Sequence, residues 1–116
     1  MTTQELNGIV AGIGLPYAYY QFPADDPANP PPDPPFICYF FARSNDLYAD
    51  DSNYAIINHL VIELYSDNKD FEHEAAVESA LRGAELPWSK SETYLDDERM
   101  YMTTYDTEVL IHVQQQ

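Results

Sequence analysis

At 116 residues, 45% of them hydrophobic, the chain has the length and apolar content of one packed domain. Lys and Arg total 5 against 20 Asp and Glu, a formal net charge of −15, which argues against a surface built to grip phosphate backbones or an anionic bilayer. No apolar run approaches the ~20 residues of a membrane-spanning helix, and Cys38, the single cysteine, cannot form an internal disulfide or a multi-cysteine metal site.

The N-terminus lacks the basic stretch of a signal peptide, so export by that route is not expected. Residues 2–14 predict a short helix. Thr2 and Glu5 have capping-box spacing, and Leu6, Ile9, Val10 and Ile13 fall on one face. Gly12 and Gly14 offer stops, with Pro16 just beyond. Gly8 weakens the helix by about 1 kcal/mol relative to Ala, so it needs a core to lie on. Tyr17 to Phe22 alternates aromatics and reads as a first strand.

Residues 23–35 hold seven of the nine prolines and three aspartates. That composition bars a helix or an internal strand and favours extended polyproline geometry. Two readings follow: a solvated hairpin loop, or a semi-rigid arm touching a neighbouring subunit. In the second, Pro23, Asp25, Asp26, Pro30, Pro31, Pro32 and Asp33 are the candidate contacts. No Arg or Lys flanks the prolines as an SH3-type ligand requires.

Phe36 to Ala42 is an almost wholly apolar run that fits a central strand. Residues 43–53, with Ser44, Asn45, Asp46, Asp50, Asp51 and Asn53, read as a polar connection. Tyr54 to Tyr65 is the strongest strand pattern. Leu60, Ile62 and Leu64 point one way, and Val61, Glu63 and Tyr65 the other. After a turn at 66–69, Asp70 caps a helix from Phe71 to about Arg82. Its expected core face is Phe71, Ala75, Val77 and Leu81, with Glu72, Glu74 and Glu78 outward and Gly83 as the stop. Trp88 to Tyr94 is a strand, residues 95–98 a turn, Met100 to Val113 a long final strand, and residues 114–116 a frayed tail. The order α-β-β-β-α-β-β predicts an α+β domain. Its sheet is mainly antiparallel or mixed, with two helices packed on one face.

Motifs for catalysis fail one by one. His59 and His112 sit in strand patterns and read as structural. Residues 73–77, His-Glu-Ala-Ala-Val, begin like a zinc-protease helix, but Val77 stands where the second His is required. There is no Gly-x-Ser-x-Gly elbow or phosphate loop, and Cys38 lies inside an apolar strand, where a thiol is buried and inert. Asp25 with Asp26, the group Asp46, Asp50, Asp51, and the run Asp96, Asp97, Glu98 lack calcium-loop spacing and glycine, and read as solvated loops. No enzyme activity, cofactor or metal is expected. The many tyrosines could supply the contacts that a self-repelling acidic domain needs to assemble.

The ordered set Leu15-Pro16-Tyr17-Ala18-Tyr19, Pro34-Pro35-Phe36-Ile37, Asn45, Ala49-Asp50, Tyr54, Ile62-Glu63-Leu64-Tyr65-Ser66-Asp67, Lys69-Asp70, Glu98-Arg99-Met100-Tyr101 and Tyr105 spans nearly the whole chain. It resembles a family of small head–tail joining proteins of long-tailed phages and prophages of Gram-positive hosts, of the tail-completion or tail-terminator type. The chain differs from that family in its long Pro-Asp insert. The resemblance implies an α+β virion subunit that forms a ring, commonly a hexamer, capping the tail tube and meeting the head connector. Its partners would be itself, the major tail-tube protein and connector proteins, in the virion and, during assembly, the host cytoplasm. DNA would be passing cargo and no membrane would be involved. Acidic walls would suit a channel through which DNA slides, with some of Asp46, Asp50, Asp51, Asp96, Asp97 and Glu98 facing the lumen. A second class of function is a small acidic inhibitor that mimics DNA and binds a basic host protein, and a third is a small hydrolase or metal-dependent enzyme.

Overall fold

The computed structural model describes residues 1–22, 28, 30–48 and 53–114. Two helices and five strands follow one another as α1 (Thr3–Ala11), β1 (Tyr17–Tyr19), β2 (Phe36–Tyr48), β3 (Asn53–Ser66), α2 (Phe71–Gly83), β4 (Ser89–Leu95) and β5 (Met100–Gln114). The expected α+β class and element order are those observed. The strands form one mixed sheet in the order β1-β2-β3-β5-β4.

Three long strands dominate because their residues are β-branched and aromatic. β2 pairs antiparallel with β3, and β3 antiparallel with β5 along its whole length. The sheet's two faces differ. Ile37 and Tyr39, Leu60, Ile62 and Leu64, and Tyr105, Val109 and Ile111 form the core, against which Leu6 and Val10 of α1 and Val77 and Leu81 of α2 pack. Removing this much apolar surface from water is the main force holding the fold. Among the described residues the opposite face carries no helix.

Local signals set the helix starts. Thr2 caps α1 by accepting the Glu5 amide at 3.1 Å, and Asp70 caps α2 by accepting the His73 amide at 3.0 Å. α1 ends at Ala11 with Gly12 as its cap, three residues short of the expected end. Gly14 then takes φ 91°, a conformation only glycine adopts without strain.

Four further expectations are corrected. The first strand ends at Tyr19, because Tyr20 has φ 71° and turns the chain away. β1 and β2 run parallel, with Tyr17 opposite Ile37, so the segment between them is a crossover and not a hairpin loop. The strand from Phe36 continues to Tyr48, so Ser44, Asn45 and Asp46 belong to β2 rather than to a connection. Pairing with β3 supplies backbone hydrogen bonds that outweigh the poor strand propensity of those polar residues. A β-bulge at Ala42 shifts the register between Phe41 and Arg43 and reverses the alternation beyond it.

The fourth correction lies in α2. Phe71 is 73% exposed and Ala75 is exposed, whereas Glu74 is 2% exposed and lies in the buried stripe with Val77 and Leu81. Positions 74, 77 and 81 follow the i, i+3, i+7 spacing of one helix face. Charge alone misplaces Glu74, since its neighbours determine whether it can be buried.

Candidate functional site

Glu74 is buried because two lysines meet it. Lys69, just before α2, lies 2.6 Å from Oε2, and Lys90 of β4 lies 2.8 Å from Oε1. Lys69 also pairs with Glu92, and Lys90 with Glu78 at 2.8 Å. The Tyr105 hydroxyl donates to Glu78 Oε2 at 2.8 Å and lies 3.3 Å from the Glu74 carbonyl oxygen. Burial opposes the charge on Glu74, but the two lysines beside it outweigh that and hold the carboxyl below its ordinary 4.5. The chain has two lysines, and both are used here to bind α2 to β4. This network is a structural clamp, in which two lysines serve three carboxylates, Glu74, Glu78 and Glu92.

The helix-free face carries a different arrangement. Along β2, Phe36, Cys38 and Phe40 project from it in sequence. Their cross-strand partners on β3 are Tyr65, Glu63 and Val61. The Cys38–Glu63 pair therefore forms a floor between the Phe36–Tyr65 and Phe40–Val61 pairs. Tyr20 stands over Phe40 with ring centroids 5.6 Å apart, and Phe22 over Phe36 at 5.4 Å, both edge to face. Phe36 in turn stacks on Tyr65 at 4.9 Å. With Gln21 and Pro31 completing the rim, these residues enclose a trough of about 440 Å³.

Glu63 Oε1 accepts the Tyr65 hydroxyl at 2.9 Å. Burial chiefly, then this hydrogen bond and the charges of Glu63 and Glu98, raise the Tyr65 phenol far above its ordinary value. Burial and the Glu63 charge push the Cys38 thiol up to about 11. A thiol so protonated is a poor nucleophile, in line with the inert role expected of it.

The acids expected near a lumen are not brought together. Asp96, Asp97 and Glu98 are exposed in the turn between β4 and β5, at one end of the long strands. Asp46 lies towards the other end, on β2 opposite Ile56, and Asp50 and Asp51 fall outside the described residues. Of the expected contact loop, Pro30, Pro31 and Asp33 are exposed and Pro32 is half-buried. Pro23, Asp25 and Asp26 fall outside the described residues.

Elsewhere on the surface, His59 Nε2 lies 3.3 Å from Glu108 Oε1 beside a notch of about 350 Å³ walled by Trp88, Asp106 and Thr107. His73 Nδ1 lies 2.6 Å from Asp70 Oδ2 at the start of α2. Ser89 also lines the notch beside His59, and the Thr107 hydroxyl donates to the Pro87 carbonyl oxygen. Among the described residues no three His, Cys, Asp or Glu side chains gather as a metal set, and no helix is long and apolar enough to cross a membrane. Tyr17, Tyr19, Tyr20, Phe71, Tyr94 and Leu110 are large apolar side chains left exposed. Four of the six lie on or beside the two outer strands, β1 and β4, which end the sheet. No family model matches the chain, and no curated protein matches it.

Proposed function

We propose that the chain is a non-enzymatic structural subunit of a phage or prophage virion, joining or terminating the tail at the head–tail interface as a member of a ring. Charge placement is the observation that carries this reading. Both lysines are held against Glu74 and Arg82 stacks on Trp88 at 5.5 Å, so in a chain of net charge −15 the exposed carboxylates of the described residues have little local compensation. A wall of this kind repels phosphates and leaves passing DNA few places to stick.

Ring formation by such an acidic domain needs contacts strong enough to overcome self-repulsion. Two outer strands and their exposed tyrosines are suited to that, since an unpaired strand edge offers backbone donors and acceptors to a neighbour. Some of Asp46, Asp50, Asp51, Asp96, Asp97 and Glu98 would face the channel. Tail-tube and connector proteins would then be the axial partners. The DNA-mimic reading receives less support, because the exposed carboxylates are scattered over α1, α2, β5 and the β4–β5 turn instead of aligned on one face.

Sedimentation velocity over a wide concentration range, with and without the tail-tube protein, tests this. A ring-sized species, alone or induced by the tube, is expected. A monomer at every concentration that ignores the tube overturns the proposal.

A further inference from the structure

The trough on the helix-free face has the chemistry of a cation-binding aromatic cage, and we propose that it receives an arginine side chain presented by a partner protein. This stands apart from the ring reading, for it rests on the trough alone. Its floor holds one carboxylate, Glu63, flanked by the Phe36–Tyr65 and Phe40–Val61 cross-strand pairs. Tyr20 and Phe22 rise above the two phenylalanines as walls. A cation between such rings is attracted to their electron-rich faces, and the attraction grows as water is excluded.

Charge complementarity points the same way. Glu63 Oε1 accepts the Tyr65 hydroxyl, whereas among the described residues no Lys, Arg or His lies within ion-pair distance of the carboxylate. Glu98 adds negative potential at Tyr65. None of the chain's five basic residues lines the trough. Lys69 and Lys90 are clamped on Glu74, Arg82 covers Trp88, Arg99 is in the β4–β5 turn and Arg43 sits across from His59. Among the described residues no basic side chain serves Glu63, so the trough offers its carboxylate to a cation from outside the molecule.

Arginine fits better than lysine. Its planar guanidinium stacks on aromatic faces, is weakly hydrated, and can bond a carboxylate edge-on while lying between rings. A volume of about 440 Å³ accommodates the whole side chain with little rearrangement.

The experiment is an NMR titration of the full chain with N-acetyl-arginine methylamide, set against its uncharged isostere N-acetyl-citrulline methylamide. Saturable shifts centred on Tyr20, Phe36, Phe40 and Tyr65 are expected in the millimolar range, with citrulline at least about tenfold weaker. Glu63→Gln should weaken arginine binding about tenfold. Tyr20→Leu, which alters a side chain 61% exposed and leaves the sheet intact, should weaken it severalfold. Equal response to both probes would mean an apolar occupant and overturns the proposal. Shifts that spread over the 96–98 turn, or that persist unchanged in both variants, mean diffuse attraction to an acidic surface and overturn it too.

Discussion

Glu74 shows how one side chain can govern both stability and its pH dependence. Replacing it by Gln removes the anion that both lysines surround, and is expected to destabilise the fold by about 2–3 kcal/mol. That is less than the full penalty for breaking a buried pair, because each lysine is about a third exposed. A carboxyl whose pKa is lower in the folded than in the unfolded chain stabilises above the unfolded value and loses that contribution as pH falls through the folded one. Glu74 and Glu78 both have lowered values. Their contribution is therefore full above about pH 4.5 and fades below it. Urea denaturation of wild type and Glu74→Gln should show a gap that closes as the pH drops through that region, and a gap constant with pH would refute the ion-pair origin. Tyr105→Phe, which deletes the hydroxyl that Glu78 accepts, should cost about 1–2 kcal/mol, read the same way. None of this was legible in the sequence. A glutamate on a helix reads as outward-facing until the register of β4 is known, and it is Lys90, sixteen positions away, that makes burial possible.

Elements divide by whether their determinants are local. Both helix starts were legible, since Thr2 and Asp70 cap amides only three residues ahead. β3 was legible because Leu60, Ile62 and Leu64 alternate with Val61, Glu63 and Tyr65. The second half of β2 was not, since residues 44–48 are strand only by virtue of their pairing with 54–58. The trough was missed for the same reason: Phe36, Cys38, Phe40 and Glu63 become neighbours only once the register places Cys38 opposite Glu63. Phe36 and Phe40 on one strand and Glu63 and Tyr65 on the next, each pair on one face, were the signal, though which face is left bare is a tertiary fact. α1 packs through Leu6 and Val10, and with Gly8 at its centre it has little intrinsic stability. Leu6→Ala should therefore cost about 2–4 kcal/mol, and hydrogen exchange should show α1 opening before β3 and β5.

At the scale of the whole molecule, the sheet is an elongated platform within overall extents of 50 × 32 × 23 Å, helices on one side and the aromatic trough on the other. With −15 charges on 116 residues, self-association is opposed over roughly a Debye length of about 10 Å at 0.1 M salt. Raising salt from about 50 mM to about 500 mM should therefore favour the assembled species in sedimentation, the reverse of the trend for proteins that bind DNA through phosphate contacts. Self-association that weakens with salt would mean that specific ion pairs hold the copies together. The fold class was legible from the order of elements, because runs of strands interrupted by two amphipathic helices admit few layer arrangements. The parallel β1–β2 pairing was hidden in the length of the proline-rich crossover.

The lysine clamp also determines how the protein can be handled chemically. Its two side-chain amines are the ones that hold α2 to β4, and the N-terminal amine of Met1 donates to the Leu110 carbonyl oxygen at 3.2 Å. Amine-directed dyes, cross-linkers and resin couplings have no side-chain target away from that clamp, and complete modification would strip the countercharge from Glu74. Neighbours of this protein are better captured through its exposed carboxylates, activated by carbodiimide and trapped by the neighbour's amines; the same activation would join Lys69 to Glu92 and Lys90 to Glu78, where they already pair.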